Sequence, residues 1–212
     1  MTRDQQGAPL DGALESYAAF LAHQLAEVAV LMSGAGDTPG AQAARARLER
    51  MLADLRDLSP AAPVEQRVDL AELFATAAAA LSEPGRRVRL SVDGAVAAVS
   101  ADVAQLSALA AHLTRMALAQ SAGGVRLVLR GAAGPGGRIH VELEHVEGAG
   151  DDRDPQRRLV PFERPAGTGA LLGAGVSGPA AARIVSAHQG TLGLCTRAGN
   201  VVAMFDLPAA DL

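Results

Sequence analysis

The spacing of apolar positions divides the chain into two parts. From about residue 10 to residue 32, Leu14, Tyr17, Leu21, Val28 and Leu31 recur at intervals of three, four or seven, the stripe of a helix that packs on other helices. Residues 33–40 (Ser-Gly-Ala-Gly-Asp-Thr-Pro-Gly) form a run of turn signals. Ala41, Ala44, Leu48, Met51, Leu55 and Leu58 then carry the same alternation of three and four as far as Ser59-Pro60. This pattern predicts an antiparallel helical hairpin over residues 1–62, with arms of about twenty residues each. Two arms leave each apolar stripe half covered, and pairing two hairpins into a four-helix bundle buries the remainder. A homodimer through the hairpin is therefore expected.

After a proline-bearing linker at 60–67 the period changes. A helix is predicted from Asp69 to Leu81, and the alternation of Val88, Leu90 and Val92 predicts a strand. Ser100-Ala101-Asp102 reads as the cap of a long helix that runs to about Gln120. Strands over Val125 to Arg130 and Arg138 to Glu144 flank a glycine-rich turn at 131–137, giving a hairpin. A polar, glycine-bearing stretch from Glu147 to Gly175 precedes a helix around Pro179 to His188. Strands near Thr191 to Thr196 and Val201 to Leu207 close the chain. Residues 66–212 thus read as an α/β sandwich with helices on one face of a mixed sheet, and the whole chain as α+β.

Composition narrows the chemistry. With 49% apolar residues and a net charge of -4 from 19 basic and 23 acidic side chains, the 212-residue chain is expected to fold as a soluble protein. Every basic residue is Arg, and without Lys there is no P-loop lysine and no Schiff base. The one cysteine, Cys195, supports neither an internal disulfide nor a thiolate zinc cluster, and it reads as a small buried hydrophobe in a strand. His112, His140, His145 and His188 are too scattered to suggest a metal site. Scarce aromatic residues and a mildly acidic balance argue against nucleic acid as a partner. The N-terminus lacks the layout of a signal peptide and no apolar run is long enough to span a bilayer, so a cytoplasmic protein without a membrane segment is expected.

Several segments, in order, resemble the transmitter core of bacterial sensor histidine kinases: a dimerising hairpin that bears a phosphoacceptor histidine, followed by an ATPase domain of the histidine-kinase and Hsp90 type. The run from Leu14 through Ala22-His23-Gln24-Leu25 is similar to the phosphoacceptor helix, and Leu52 to Ser59 to the end of the second helix. Val68-Asp-Leu-Ala-Glu-Leu73 resembles the entry to the nucleotide domain. Pro161-Phe162-Glu-Arg164 resembles the phenylalanine box, Ala182 to Gly190 the helix after the second glycine box, and Met204 to Pro208 the closing strand. The resemblance implies a site in which His23 accepts a phosphoryl group, a nucleotide pocket, and a response-regulator receiver domain as partner.

Two departures bear on that pocket. Asp102 to Ser121 resembles the asparagine-box helix, and the family's two asparagines fall at His112 and Met116, the second being the position that holds magnesium. A thioether is a poor ligand for so hard a cation, and the chain's one asparagine is Asn200. In the first glycine box, His145-Val-Glu147-Gly148-Ala-Gly150, no aspartate stands in register to bind adenine, and Glu147 is the nearest substitute. The second box survives in part as Gly173-Ala-Gly175-Val-Ser-Gly178-Pro179. Glu147, Gly148, Gly150, Gly173 and Gly175 therefore read as a vestigial nucleotide site.

On the heptad frame His23 falls two positions beyond Leu21 and faces solvent, where a free imidazole nitrogen can attack a phosphoryl group. The family's acidic neighbour is replaced by Gln24, and Glu27, at i,i+4, is the nearest carboxylate. His112, His140, His145 and His188 read as structural, and residues 151–158, at the place of the nucleotide lid, as a mobile solvated loop. The expectation is a two-component protein that transfers phosphoryl groups through His23 with no cofactor of its own. The alternatives are a divergent autokinase, which alone would need ATP and magnesium, and a non-catalytic scaffold that docks a response regulator.

Overall fold

The computed structural model describes residues 28, 38–58, 60–83, 87–119, 121, 124–146, 155–159 and 176–210. The chain divides into two compact units, Met1–Leu55 and Arg56–Leu212. Of the first predicted arm, Val28 alone is described; it is helical and buried. The second arm is helix α1, Pro39–Arg56. Thr38 starts it: the hydroxyl oxygen accepts the Ala41 N–H at 3.4 Å, the carbonyl accepts the Gln42 N–H at 3.1 Å, and Pro39 supplies a pre-set φ at the first helical position. None of the described helices is long and apolar enough to cross a membrane.

The second unit is a layer of helices on a mixed sheet. Its elements are β1 (Gln66–Val68), α2 (Leu70–Ala80), β2 (Val88–Asp93), β3 (Val99–Ala101), α3 (Val103–Ala119), β4 (Val125–Gly134), β5 (Arg138–Val146), a 3-10 turn (Pro155–Leu159), α4 (Ser177–Ala187), β6 (Leu192–Arg197) and β7 (Asn200–Pro208). The main sheet has the order β2-β4-β5-β7-β6, with β2 parallel to β4 and the other pairs antiparallel. β1 and β3 form a separate antiparallel pair, Val68 opposite Val99.

Alternation fixes which face of the sheet is apolar. Val125, Leu127 and Leu129 of β4, and Ile139, Val141 and Leu143 of β5, turn toward the helices and are at most 4% exposed. Phe74 of α2, Leu106, Leu109 and Leu113 of α3, Ile184 and Val185 of α4 and Phe205 of β7 complete one continuous core. Burying a phenylalanine such as Phe74 or Phe205 stabilises the fold by about 1.5–3 kcal/mol. Asp69 caps α2, its carboxylate accepting the N–H groups of Ala71 at 2.8 Å and Glu72 at 3.1 Å.

Three local expectations are revised. The β4–β5 turn spans only residues 135–137, because the strands pair as far as Gly134 opposite Arg138. Gly131, expected in the turn, lies within β4: a Cβ there would meet Val96 Cγ1 at 2.8 Å, so its role is close approach. Gly136 and Gly137 do turn the chain, with φ of +69° and +68°. Cys195 is half-buried rather than buried. Finally, residues 60–67 are not a free linker: Gln66 and Arg67 pair in β1, and the residues before them lie hydrogen-bonded along α3.

Candidate functional site

The expected phosphoacceptor group, His23 with Gln24 and Glu27, lies outside the described residues, as do Glu147, Gly148, Gly150, Gly173, Gly175 and the phenylalanine box. What the structure does describe is the ground beneath the expected nucleotide pocket: the C-terminal half of α3, the sheet it covers, and the 3-10 turn.

Between α3 and the sheet is a cavity of about 30 Å³, lined by Leu113 and Met116 of α3, Leu127 of β4, His145 of β5, Leu194 of β6 and Arg158 of the 3-10 turn, among others. Each reaches it for a local reason. Leu113 and Met116 are one turn apart on the buried side of α3. His145 is two residues beyond Leu143 on the inward side of β5 and is 3% exposed. Arg158 is carried in by the 3-10 turn, which Gln156 pins through a hydrogen bond from Nε2 to the Leu194 carbonyl at 2.7 Å. α4 packs against this turn at Gly178, where a Cβ would stand 1.9 Å from the Arg158 carbonyl oxygen. The Arg158 side chain is 9% exposed, and Pro155 is buried as well. The segment expected as a solvated loop therefore packs into the domain in its second half.

These lining groups do not fit magnesium. Mg²⁺ takes oxygen ligands at octahedral positions. The polar side chains on this wall offer a thioether (Met116), an imidazole (His145) and a guanidinium (Arg158), a soft donor, a borderline donor and a cation. A cavity of about 30 Å³ has room for water.

The other position where the resemblance implies an asparagine is His112. His112 is fully buried; its Nε2 lies 2.9 Å from Asp57 Oδ2 and its Nδ1 3.1 Å from Arg115 Nη2. A guanidinium only donates, so Nδ1 accepts and Nε2–H donates to Asp57. Both ring nitrogens are committed, and His112 serves as a bridge between Arg115 and the carboxylate of Asp57.

Two further carboxylate environments stand out. Asp102 caps α3, accepting the Gln105 N–H at 3.0 Å and the Val64 N–H at 3.1 Å, and these bonds hold its carboxyl below the usual aspartate range. On the sheet face away from the helices, Arg130 reaches Glu144 at 2.6 Å and Asp93 at 2.9 Å, and Arg197 grips both oxygens of Glu142 at 2.8 Å. Asn200 adds a bond to Glu144 at 2.8 Å, and Arg138 pairs with Asp206. Arg197 lowers the carboxyl of Glu142, and Arg130 followed by Asn200 lowers that of Glu144.

Asp57 and Arg158 are the residues that sequence reasoning passed over. Asp57 lies in a run read only as a helix end, and nothing in sequence links it to a histidine 55 positions later. For Arg158 a signal existed: Pro155 and Leu159 bracket a short segment able to turn and bury one apolar side.

No protein-family model matches the chain, and no curated protein matches its sequence. Solved structures do match. The mycobacterial sensor histidine kinase MprB aligns at a TM-score of 0.56 and 18% identity, over 70% of this chain and 100% of that one. The Acinetobacter baumannii histidine kinase AdeS aligns at 0.64 and 15% identity, over 93% of this chain and 98% of that one. The fold is that of a histidine-kinase transmitter core. Full-length ShkA, solved in complex with AMPPNP, aligns at 0.61 and 21% identity over 95% of this chain, which spans 46% of ShkA. On α3, where the two family asparagines are expected, Met116 lines the cavity beside His145 and Arg158, and His112 forms a hydrogen-bonded bridge.

Proposed function

We propose that the chain is a cytoplasmic two-component signalling protein, dimeric through its helical hairpin, that passes a phosphoryl group through His23 to and from a receiver-domain aspartate without using ATP of its own. The observation that carries the reading is the donor set around Met116: the wall where a magnesium ligand is expected presents a thioether, an imidazole and a guanidinium around a water-sized cavity. In the proposed transfer an unprotonated ring nitrogen of His23 attacks the phosphorus of an aspartyl phosphate in line. The P–N bond forms as the P–O bond to the aspartate breaks, which regenerates the receiver carboxylate. Glu27, one turn along the helix, accepts the hydrogen bond of the other ring nitrogen and stabilises the positive charge that develops there, while Gln24 offers a neutral amide beside it. The receiver supplies its own metal, so the chain needs no cofactor.

The test uses wild type and His23→Ala, each incubated with γ-labelled ATP and magnesium and, separately, with a labelled phospho-receiver. Label that reaches wild type from the receiver alone, and is lost in His23→Ala, is the expected result. Label from ATP that is lost in the variant would instead establish an autokinase, and label from neither source a scaffold.

A further inference from the structure

The segment between α1 and β1 runs antiparallel along α3. Asp57 meets His112 Nε2 at 2.9 Å, the Ala61 carbonyl accepts from Gln105 Nε2 at 2.9 Å, and the Val64 N–H reaches Asp102 Oδ2 at 3.1 Å. The contacts step forward along the segment as they step back along the helix, from 112 to 105 to 102. Ser100 Oγ donating to Glu65 Oε2 at 3.2 Å continues the register into the β1–β3 pair.

The attachment is polar and shallow. Ala61, Ala62, Val64 and Glu65 are exposed, Val64 at 69%, and Leu58, Pro60 and Pro63 are only half-buried. Pro60 and Pro63 carry no N–H and favour an extended backbone that does not depend on the helix. At either end the anchorage is different in kind. Val68 is 4% exposed and paired opposite the fully buried Val99, whereas His112 at the other end is itself fully buried. A segment held by a few side-chain bonds beside a large apolar core is the sort that opens on its own.

We propose that the described residues 57–58 and 60–65 belong to a detachable strap on α3, clasped by the His112–Asp57 bond, which opens as a unit while the sandwich stays folded. Opening exposes His112 Nε2 to water and frees nine residues of chain between α1 and β1, a reach of up to about 30 Å when extended. The strap thereby sets how much slack chain separates the end of α1 from β1. It does so whether or not His23 carries a phosphoryl group.

Amide hydrogen exchange on the full chain tests this, with Asp57→Ala removing the clasp and Gln105→Ala removing the central bond without touching His112. Each variant should accelerate exchange at Val64, whose N–H is held by Asp102, by about tenfold, the worth of one hydrogen bond. Leu127, Leu129 and Val141 in the sheet should keep their wild-type rates. Strap amides unchanged in both variants, or strap and sheet amides accelerated together, would overturn the proposal.

Discussion

His188 Nε2 accepts the backbone N–H of Asp102 at 3.0 Å, a bond between residues 86 positions apart that ties the end of α4 to the start of α3. The other ring nitrogen, Nδ1, lies 2.9 Å from the Ile184 carbonyl and donates to it, which fixes the tautomer. The imidazole is 3% exposed, so neither partner has water to fall back on. His188→Ala should cost about 1–3 kcal/mol, the price of stranding a buried N–H. Urea unfolding measures it, and a midpoint within error of wild type would show the bond to be dispensable.

Acid sensitivity should come from the ion-paired face of the sheet. Arg130 and Asn200 hold the Glu144 carboxyl below the ordinary glutamate range. A carboxyl with a depressed folded value contributes stability that is fully present above its unfolded value, about pH 4.3, and lost as pH falls through the folded value below it. The contribution of Glu144 should therefore be constant from neutral pH to about pH 5 and be lost beneath it. Glu144→Gln should flatten part of the resulting fall, as followed by thermal melts from pH 7 to pH 3.

Glycines at two positions should respond in opposite directions to alanine. At Gly178 the new Cβ would stand 1.9 Å from the Arg158 carbonyl oxygen, and backbone must move. Overpacking of this kind costs about 1–3 kcal/mol, several degrees of melting temperature in a chain of this size. At Gly40, in the first turn of α1, the nearest atom would be Thr38 Oγ1 at 3.8 Å, so Gly40→Ala should be neutral or stabilising by up to about 1 kcal/mol. Differential scanning calorimetry of the two variants decides it, and equal melting temperatures would contradict the packing described.

Restoring one asparagine should not restore a magnesium site. Met116→Asn supplies an amide oxygen, but Arg158 and His145 still line the wall, and the half-buried thioether loses its packing against the core, at a cost of about 1–3 kcal/mol. Titration calorimetry with magnesium and ATP should show no binding gained over wild type, along with a lower melting temperature. Binding that appears only with magnesium in this variant would show that a single side chain decides the matter.

The layering of the sandwich was legible in sequence because periods of two and of three to four leave unambiguous marks on runs such as Val125 to Leu129 and Leu106 to Leu113. Asp102 announced its helix by the chemistry of capping. Contacts made by side chains far apart in sequence were not legible. Nothing near Asp57 signals His112, and the glycine at 131 reads as a turn until Val96 is seen against it. At the site the same limit applied: a thioether at position 116, where the resemblance implies a magnesium ligand, was readable from residue type, whereas the entry of Arg158 into that wall depended on a 3-10 turn docked through Gln156 and Gly178.

β3 is three residues long, yet Val68 pairs with Val99 from one direction and Ala209 bridges to the same residue from the other. Ala210 adds a bond to the Ala98 carbonyl at 3.1 Å. The first and last strands of the sandwich thus converge on one short segment, which leads through Asp102 into α3 and, by the His188 bond, into α4. Tension applied along the backbone at either end of the domain would arrive at this junction before it reached Phe205 or Leu129, and two helices would feel it together. In mechanical terms this three-residue strand is the domain's coupling joint.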